Sequence, residues 1–389
     1  MQEVRKMVKV VILGQGYVGS IFALGVERIK NGDLGYYGVP LANELPIKIE
    51  EIEIVGSYDV DKSKIGRSLY EVVKLYWDNN IPESLKSIVV RKGIHLRSLK
   101  NLPIEAEGLE DEMTLSEVVE KLIEEWKDLK AEVFINVCTT EASVPFESKE
   151  ELIKAIEENN KERLTATQVY TYAIAKYAKE VGGAAFVNAI PTLIANDPAF
   201  VELAKESNLV IFGDDGATGA TPLTADILSH LAQRNRYVKD IAQFNIGGNT
   251  DFLALTDKER NKSKEFTKSS IVKDILGYDA PHYIKPTGFL EPLGDKKFIA
   301  MHIEYVSFNG AVDELMITGR INDSPALAGL LVDLARLGKL AIERREFGTV
   351  YPVNAFYMKN PGPKEMGNIP RIIAYEKMRV WAGLNPKWF

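Results

Sequence analysis

The chain reads as an α/β protein, a doubly wound parallel sheet into which a smaller α+β unit is inserted. Three observations predict this. Short apolar runs alternate with helical periods through the first 238 residues, a glycine-rich turn follows the first run, and beyond residue 238 the period becomes that of antiparallel strands. With 389 residues there is material for two or three domains with buried cores. The expected division is 1–238 plus 324–389 for the parallel-sheet unit and 239–323 for the insertion.

Taken in order, residues 8–13 ("VKVVIL") form a first strand that runs into "GQGYVGS" and then a helix. Residues 31–46 are rich in glycine and proline and must be loop. Residues 50–60 alternate as a second strand that ends at Asp59 and Asp61. Residues 109–130 make an acidic helix whose charges suit a solvated face. Residues 131–138, 184–191 and 208–215 are further short strands, and residues 162–181 have helical spacing. The insertion opens with "IAQFNIGGNTDF", continues through a lysine-rich helix, and ends in two alternating runs flanking Asn309-Gly310, a strong hairpin signal. A helix over residues 324–345, with Pro325 in its first turn, returns the chain to the α/β layer.

Composition narrows the function. Hydrophobic residues are 46% and charged residues 26%, as in a water-soluble protein, and no apolar run reaches the roughly 18 residues of a membrane span. The N-terminus lacks the small-residue cleavage site of a secretory leader, so a cytoplasmic location is expected. A formal net charge of −7 provides no field for nucleic acid. The single cysteine, Cys138, rules out an internal disulfide or a cysteine zinc site, and the four histidines are scattered. Cys138, His282 and His302 are expected to be structural.

Gly14, Gln15, Gly16, Tyr17, Val18 and Gly19 spell G-x-G-x-x-G between a strand and a helix, the context in which this pattern binds a dinucleotide. Gly14 makes the tight turn, Gly16 lets the backbone approach a pyrophosphate, and Gly19 lets the helix pack on the strand. The helix start adds N–H donors and a partial positive charge. Asp59 would accept from the adenosine ribose and favour NAD over NADP, although it arrives later than the usual spacing because of the preceding loop. Asp61 follows in the same turn. The sheet is therefore expected to be of Rossmann type.

Further motifs, in order, are "VNAIP", "FGDDGATGAT" (212–221), "FNIGGNTDF" (244–252), "RNKSKEFTKSS" (260–270), "INDSPALAG" (321–329) and "AFYMKNPGP" (355–363). Together with the glycine loop and "DVD", this set resembles the myo-inositol-1-phosphate synthase family, especially its shorter prokaryotic branch, over most of residues 8–363. The resemblance implies conversion of D-glucose 6-phosphate to 1D-myo-inositol 3-phosphate. NAD oxidation at C5, enolisation, intramolecular aldol closure and re-reduction would make the net reaction an isomerisation. It also implies a homotetramer, with the insertion serving catalysis and assembly, and a product that feeds inositol phospholipids or inositol-phosphate solutes.

Residue by residue, the resemblance implies active-site lysines at Lys264, Lys268, Lys297 and Lys359, with Asp215 and Asp323 as their acidic partners. Lysine suits the task because its ammonium stabilises oxyanions and its pKa falls when buried or crowded by cations. Lys264 and Lys268 are one helical turn apart and are expected to depress each other's pKa. Lys262 and Lys296 are expected to face solvent. Thr139, Asp215 and Asp323 join the cofactor contacts, while Thr218, Thr221, Asn245, Gly248, Asn249 and Asp251 provide hydroxyl, amide and backbone groups for the sugar phosphate. Asp323 also stands where a helix cap is expected. Because the lysines are retained, no catalytic metal is expected. Two other readings remain: a sugar-phosphate or semialdehyde dehydrogenase with net redox, and a non-catalytic NAD-binding regulatory protein.

Overall fold

The computed structural model describes residues 7–96 and 98–388, with the side chains of residue 263 and residues 265–269 outside the described set. Eleven strands are present among the described residues: β1 (Val8–Leu13), β2 (Ile52–Asp59), β3 (Val90–Lys92), β4 (Val133–Asn136), β5 (Ala184–Asn188), β6 (Leu209–Phe212), β7 (Tyr237–Gly247), β8 (His282–Phe289), β9 (Lys296–Val306), β10 (Val312–Asn322) and β11 (Gly348–Thr349). Seven form one parallel sheet in the order β11-β6-β5-β4-β1-β2-β3. Strand order reverses between β1 and β4, so a crevice opens at their carboxyl ends, where doubly wound sheets bind ligands.

Alternation along β1 explains the two layers. Val8, Val10 and Ile12 enter one core with the helices Tyr17–Lys30 and Asp323–Arg344, while Val11 and Leu13 enter the other with Leu115–Leu129 and Ala166–Val181. Both faces are covered, which is why these strands are apolar throughout. The acidic helix Leu115–Leu129 buries Leu115, Val118, Val119, Leu122, Ile123 and Trp126, so its charges lie on the opposite face.

The second sheet runs β10-β9-β7-β8. Pairs β10/β9 and β9/β7 are antiparallel as expected, but β7 and β8 are parallel. The sheet is therefore mixed, because the helix Lys258–Leu276 carries the chain back across it between β7 and β8. Asn309 and Gly310, at φ of 61° and 76°, turn β9 into β10. A third core joins this sheet to Ile271 and Val272 of that helix and to Ala225, Leu228 and Leu231 of the helix Ala220–Gln233. The expected boundary at 239 lies within β7, so the helix Ala220–Gln233 that packs on this sheet falls on the other side of it.

A buried ion pair secures the return of the C-terminal segment. Arg336, fully buried, pairs with Asp333 and donates to the carbonyl oxygens of Leu41, Ala42 and Ile47. Asp333 also accepts from the Leu41 N–H and the Tyr357 hydroxyl, at 2.8 Å each. The 41–47 loop and the Tyr357 helix are thereby fixed to one helix. Removing one partner strands the other charge in the core, so Arg336→Met should lower stability by about 3–5 kcal/mol. Denaturant titration checks this, and a midpoint unchanged from the parent would refute the role given to the pair.

Candidate active site

A cavity of about 500 Å³ opens at the carboxyl ends of β1 and β4 and runs between the two sheets. On the side of the parallel sheet it is lined by Gly14, Gly16, Tyr17, Val18, Asp59, Asp61 and Thr139. Gly14 has φ of +96°, and a Cβ there would lie 2.7 Å from the Cys138 backbone nitrogen, so glycine is required. At Gly16 a Cβ would meet nothing within 4 Å, leaving its face open, whereas at Gly19 it would strike the Gly14 carbonyl at 2.8 Å. The helix Tyr17–Lys30 starts with no side-chain cap and no acid in its first turn. Its free N–H groups and open approach fit a pyrophosphate. Gln15 does not line the cavity: its buried side chain bonds Ser20 at 3.1 Å and Ser57 at 2.8 Å, locking the turn from behind.

The opposite wall is built by a backbone pairing far apart in sequence. Residues 213–217 exchange hydrogen bonds with residues 357–362, including Asp214 N–H to the Asn360 oxygen and Lys359 N–H to the Asp215 oxygen. Within the "GDD" stretch the two acids separate. Asp214 is fully buried and accepts from Asn188, Asn196 and the N–H groups of residues 194–196, fastening that loop; burial pushes its pKa up to about 6. Asp215, in the left-handed region at φ of 63°, faces the cavity instead.

Asp215 is 1% exposed, and its Oδ1 receives Lys359 Nζ at 2.9 Å, with Lys264 Nζ 3.6 Å away. Lys264 also lies 3.5 Å from Asp251, and Lys297 donates to Asp323 at 2.8 Å. Thr218 donates to the same Asp323 oxygen at 3.3 Å. The lysines differ electrostatically. Burial pulls Lys264 down, but Asp215, Asp251 and Asp323 reverse this and hold it well above the ordinary lysine value. For Lys359, burial and the neighbouring Lys264 and Lys297 charges outweigh Asp215 and Asp323, so its pKa falls. Asp323 is destabilised by burial, yet Lys297, Lys359 and Lys264 hold it well below the usual carboxylate range. The expected depression at Lys264 is therefore overturned, because three carboxylates surround it. Lys268 lies on the same helix, its side chain outside the described residues.

An inner recess adds Thr221, Asn245 and Lys297 to Thr218, Asp251, Lys264, Asp323 and Lys359. It lies at the start of the helix Ala220–Gln233, where Gly219 has φ of 66° and no side chain caps the first turn. A Cβ on Gly219 would approach Lys297 Nζ to 2.4 Å. Uncapped N–H groups, two threonine hydroxyls and Lys297 converge there, a donor set of the kind that binds phosphate. Asn245 donates to the Lys285 carbonyl, and Gly248 fits only as glycine against the 290–294 backbone. Asn249 has both ends of its amide engaged, accepting from Phe252 N–H and donating to Asp295.

Some residues were not legible as site residues beforehand. Asp295 lines the cavity and accepts from Asn249 Nδ2 at 3.0 Å, Ser324 Oγ at 2.6 Å and Ser324 N–H at 2.9 Å. It, not Asp323, caps the long helix, because Asp323 is turned to Lys297. Thr140 donates to Asp251 at 2.9 Å across the two sheets, and Lys64 lies beside Asp59 and Asp61. Lys262 and Lys296 are exposed, as expected. Cys138 lines the cavity, and burial raises its thiol pKa, which makes it a poor nucleophile. Among the described residues, His95, Glu110 and Asp111 are close enough to hold a metal ion, and none of them lines the cavity.

The myo-inositol-1-phosphate synthase family profile matches residues 219–324, from the uncapped helix start to the Asp323-Ser324 corner. The inositol-3-phosphate synthases of Mycobacterium tuberculosis and Corynebacterium glutamicum are each 27% identical, over 375 and 392 residues, and cover 94% and 96% of the chain and 94% and 98% of their own length. The fold extends to an inositol-3-phosphate synthase of Caenorhabditis elegans, 17% identical with a TM-score of 0.83 over 99% of this chain and 87% of that one. A crystal structure of a myo-inositol-1-phosphate synthase-related protein from Thermotoga maritima is 74% identical, with a TM-score of 0.94, and covers 98% of this chain and 100% of its own. On this full-length likeness, the chain belongs to the myo-inositol-1-phosphate synthase family.

Proposed function

We propose that this protein is an inositol-3-phosphate synthase that converts D-glucose 6-phosphate into 1D-myo-inositol 3-phosphate, with NAD held along the glycine loop. One observation carries the reading: Lys264 and Lys359, each against a carboxylate, line the same cavity as the glycine turn, and Lys297, against Asp323, lines the recess beside it. Bound NAD would supply a hydride acceptor at C5 of the open-chain sugar and return the hydride at the end of the cycle.

The chain's own residues do the remaining work. Lys297, the Thr218 and Thr221 hydroxyls and the start of the helix Ala220–Gln233 hold the phosphate, with Lys268 assigned to the same task. Lys359, with its lowered pKa, has the most accessible neutral form and takes the proton from the C5 hydroxyl, while Asp215 stabilises the ammonium that results. Lys264 stays charged and donates to the C5 oxygen, which becomes an enolate oxygen when a C6 proton leaves. The C6 carbon then bonds to C1, whose aldehyde oxygen takes up a proton in place of the one lost from C6. Lys359 gives its proton back to the C5 oxygen when the ketone is reduced, so the cycle closes without net gain or loss of atoms. Asp323 fixes Lys297 and Thr218 throughout.

Assembly is assigned to the open face of the second sheet, where Phe244, Tyr283 and Met316 are exposed, in a homotetramer. Among the described residues no helix is long and apolar enough to cross a membrane. The reaction is assigned to the cytoplasm.

Incubation with glucose 6-phosphate and catalytic NAD⁺, followed by ³¹P NMR, should give inositol phosphate without accumulation of NADH. Stoichiometric NADH would instead make the protein a dehydrogenase with net redox. Lys359→Met should reduce kcat by about 10²–10⁴-fold while leaving NAD binding intact. Wild-type turnover in that variant would remove Lys359 from the chemistry.

The pH profile provides a further check. A neutral Lys359 is required, so kcat should rise with pH and reach half-maximum below the ordinary lysine value of about 10.4. Asp215 raises the Lys359 pKa, so Asp215→Asn should move this acid limb to lower pH, by about one unit, alongside a lower maximum. A limb that stays in place or moves upward would show that Lys359 is not the titrating base.

A further inference from the structure

At the end of β2 the cavity wall carries a lysine that the glycine-loop pattern does not call for. Lys64 is 8% exposed, with Nζ 3.3 Å from Asp59 Oδ2 and 3.6 Å from Asp61 Oδ2. It also lies 5.9 Å from the ring centre of Tyr76, which stacks on Tyr17 of the glycine loop at 5.2 Å. Lys64, Asp59, Asp61, Tyr17 and Tyr76 all line the cavity.

The hydrogen-bonding capacity of Asp59 limits what it can do alone. A carboxylate has about four lone-pair sites. Oδ1 already accepts the N–H groups of Val60 at 2.7 Å and Asp61 at 2.9 Å, and Oδ2 accepts Lys64. One site remains, so Asp59 can take one hydroxyl of a ribose diol but not both. Asp61 Oδ1 is filled by the Ser63 N–H at 2.9 Å and hydroxyl at 2.7 Å, so its remaining capacity is on Oδ2, 3.6 Å from Lys64, and the acceptor sites left on both carboxylates lie beside the ammonium. The Lys64 ammonium has three N–H donors; one reaches Asp59 at 3.3 Å, and Asp61 and the Tyr76 side chain are its other neighbours.

The geometry points to Lys64 as the second half of the adenosine-ribose site: it donates to one ribose hydroxyl while Asp59 Oδ2 accepts from the other. Its charge also offsets the two carboxylates, so it weakens the exclusion of a 2′-phosphorylated dinucleotide that they would impose. Lys64 is thus the residue that tunes selection between NAD and NADP. This rests on the reading of the glycine loop as a dinucleotide site.

The test is to measure the Kd of NAD⁺ and NADP⁺ for the full-length protein, Lys64→Met and Lys64→Gln by calorimetry, with thermal unfolding to identify folded variants. Loss of a charge-assisted hydrogen bond should weaken NAD⁺ binding by Lys64→Met about tenfold, and NADP⁺ binding by a larger factor. Lys64→Gln keeps a donor without the charge, so NAD⁺ should stay within about threefold of the parent while NADP⁺ binding drops as in Lys64→Met. The inference is overturned if folded Lys64→Met binds NAD⁺ as the parent does, or if either folded variant loses NAD⁺ and NADP⁺ affinity by the same factor. A parent protein that binds neither dinucleotide would overturn the cofactor reading as well, which separates that failure from failure at Lys64.

Discussion

The site depends on how several ammonium groups can be buried together. Lys264, Lys297 and Lys359 share one enclosed volume, and without counter-charges their mutual repulsion and lost hydration would neutralise or expel them. Asp215, Asp251 and Asp323 supply those charges, with Asp215 Oδ1 shared between Lys359 and Lys264. The geometry of Asp215 in turn comes from its flanks. Asp214 pins the strand end by its buried bonds, Asp215 N–H reaches the Ile190 oxygen, and its carbonyl receives Lys359 N–H. The left-handed conformation at Asp215 is held by partners on both sides.

Equal numbers of opposite charges do not make the lysines equivalent. Lys264 faces three carboxylates and stays protonated, whereas Lys359 is deeper among cations and its pKa falls. One constellation therefore presents a permanent donor and a group able to lose its proton, side by side. That difference arises from position alone, since the side chains are chemically identical. It is how a single residue type can serve both oxyanion stabilisation and proton transfer.

How much of this was legible in the sequence follows from the range of each interaction. The glycine turn, β1 and the Asn309-Gly310 hairpin are encoded within a few residues, and they occur where local pattern places them. Strand β8 was not anticipated, because "HYIKPTGF" carries proline and glycine, and its parallel pairing depends on a helix that crosses the sheet. The Lys359–Asp215 contact spans 144 residues and was reachable only through the resemblance of the motifs. The direction of the Lys264 shift was misjudged because spacing along one helix says nothing about carboxylates delivered from other elements. Lys64 had a local signal, three residues beyond "DVD", but a lysine in a charged turn reads as solvated until its burial is known.

The two sheets meet through polar contacts that run between the glycine-loop side and the lysine side of the cavity. Thr140, after β4, donates to Asp251, which faces Lys264. Asp295, just before β9, binds Asn249 and caps the helix whose first residue is Asp323, and it lies near enough to Tyr17 of the glycine loop to raise that phenol's pKa beyond the effect of burial. An ordinary dehydrogenase can release its reduced cofactor once the hydride has moved. A site that must return the hydride to the same molecule has to retain both cofactor and intermediate through ring closure. In the proposed reaction, contacts that tie the glycine turn to the lysine cluster would answer that requirement, since loosening either side disturbs the other. The glycine loop is thus one wall of a chamber whose far wall is built from residues 213–217 and 357–362, and the proposed closed cycle would need both.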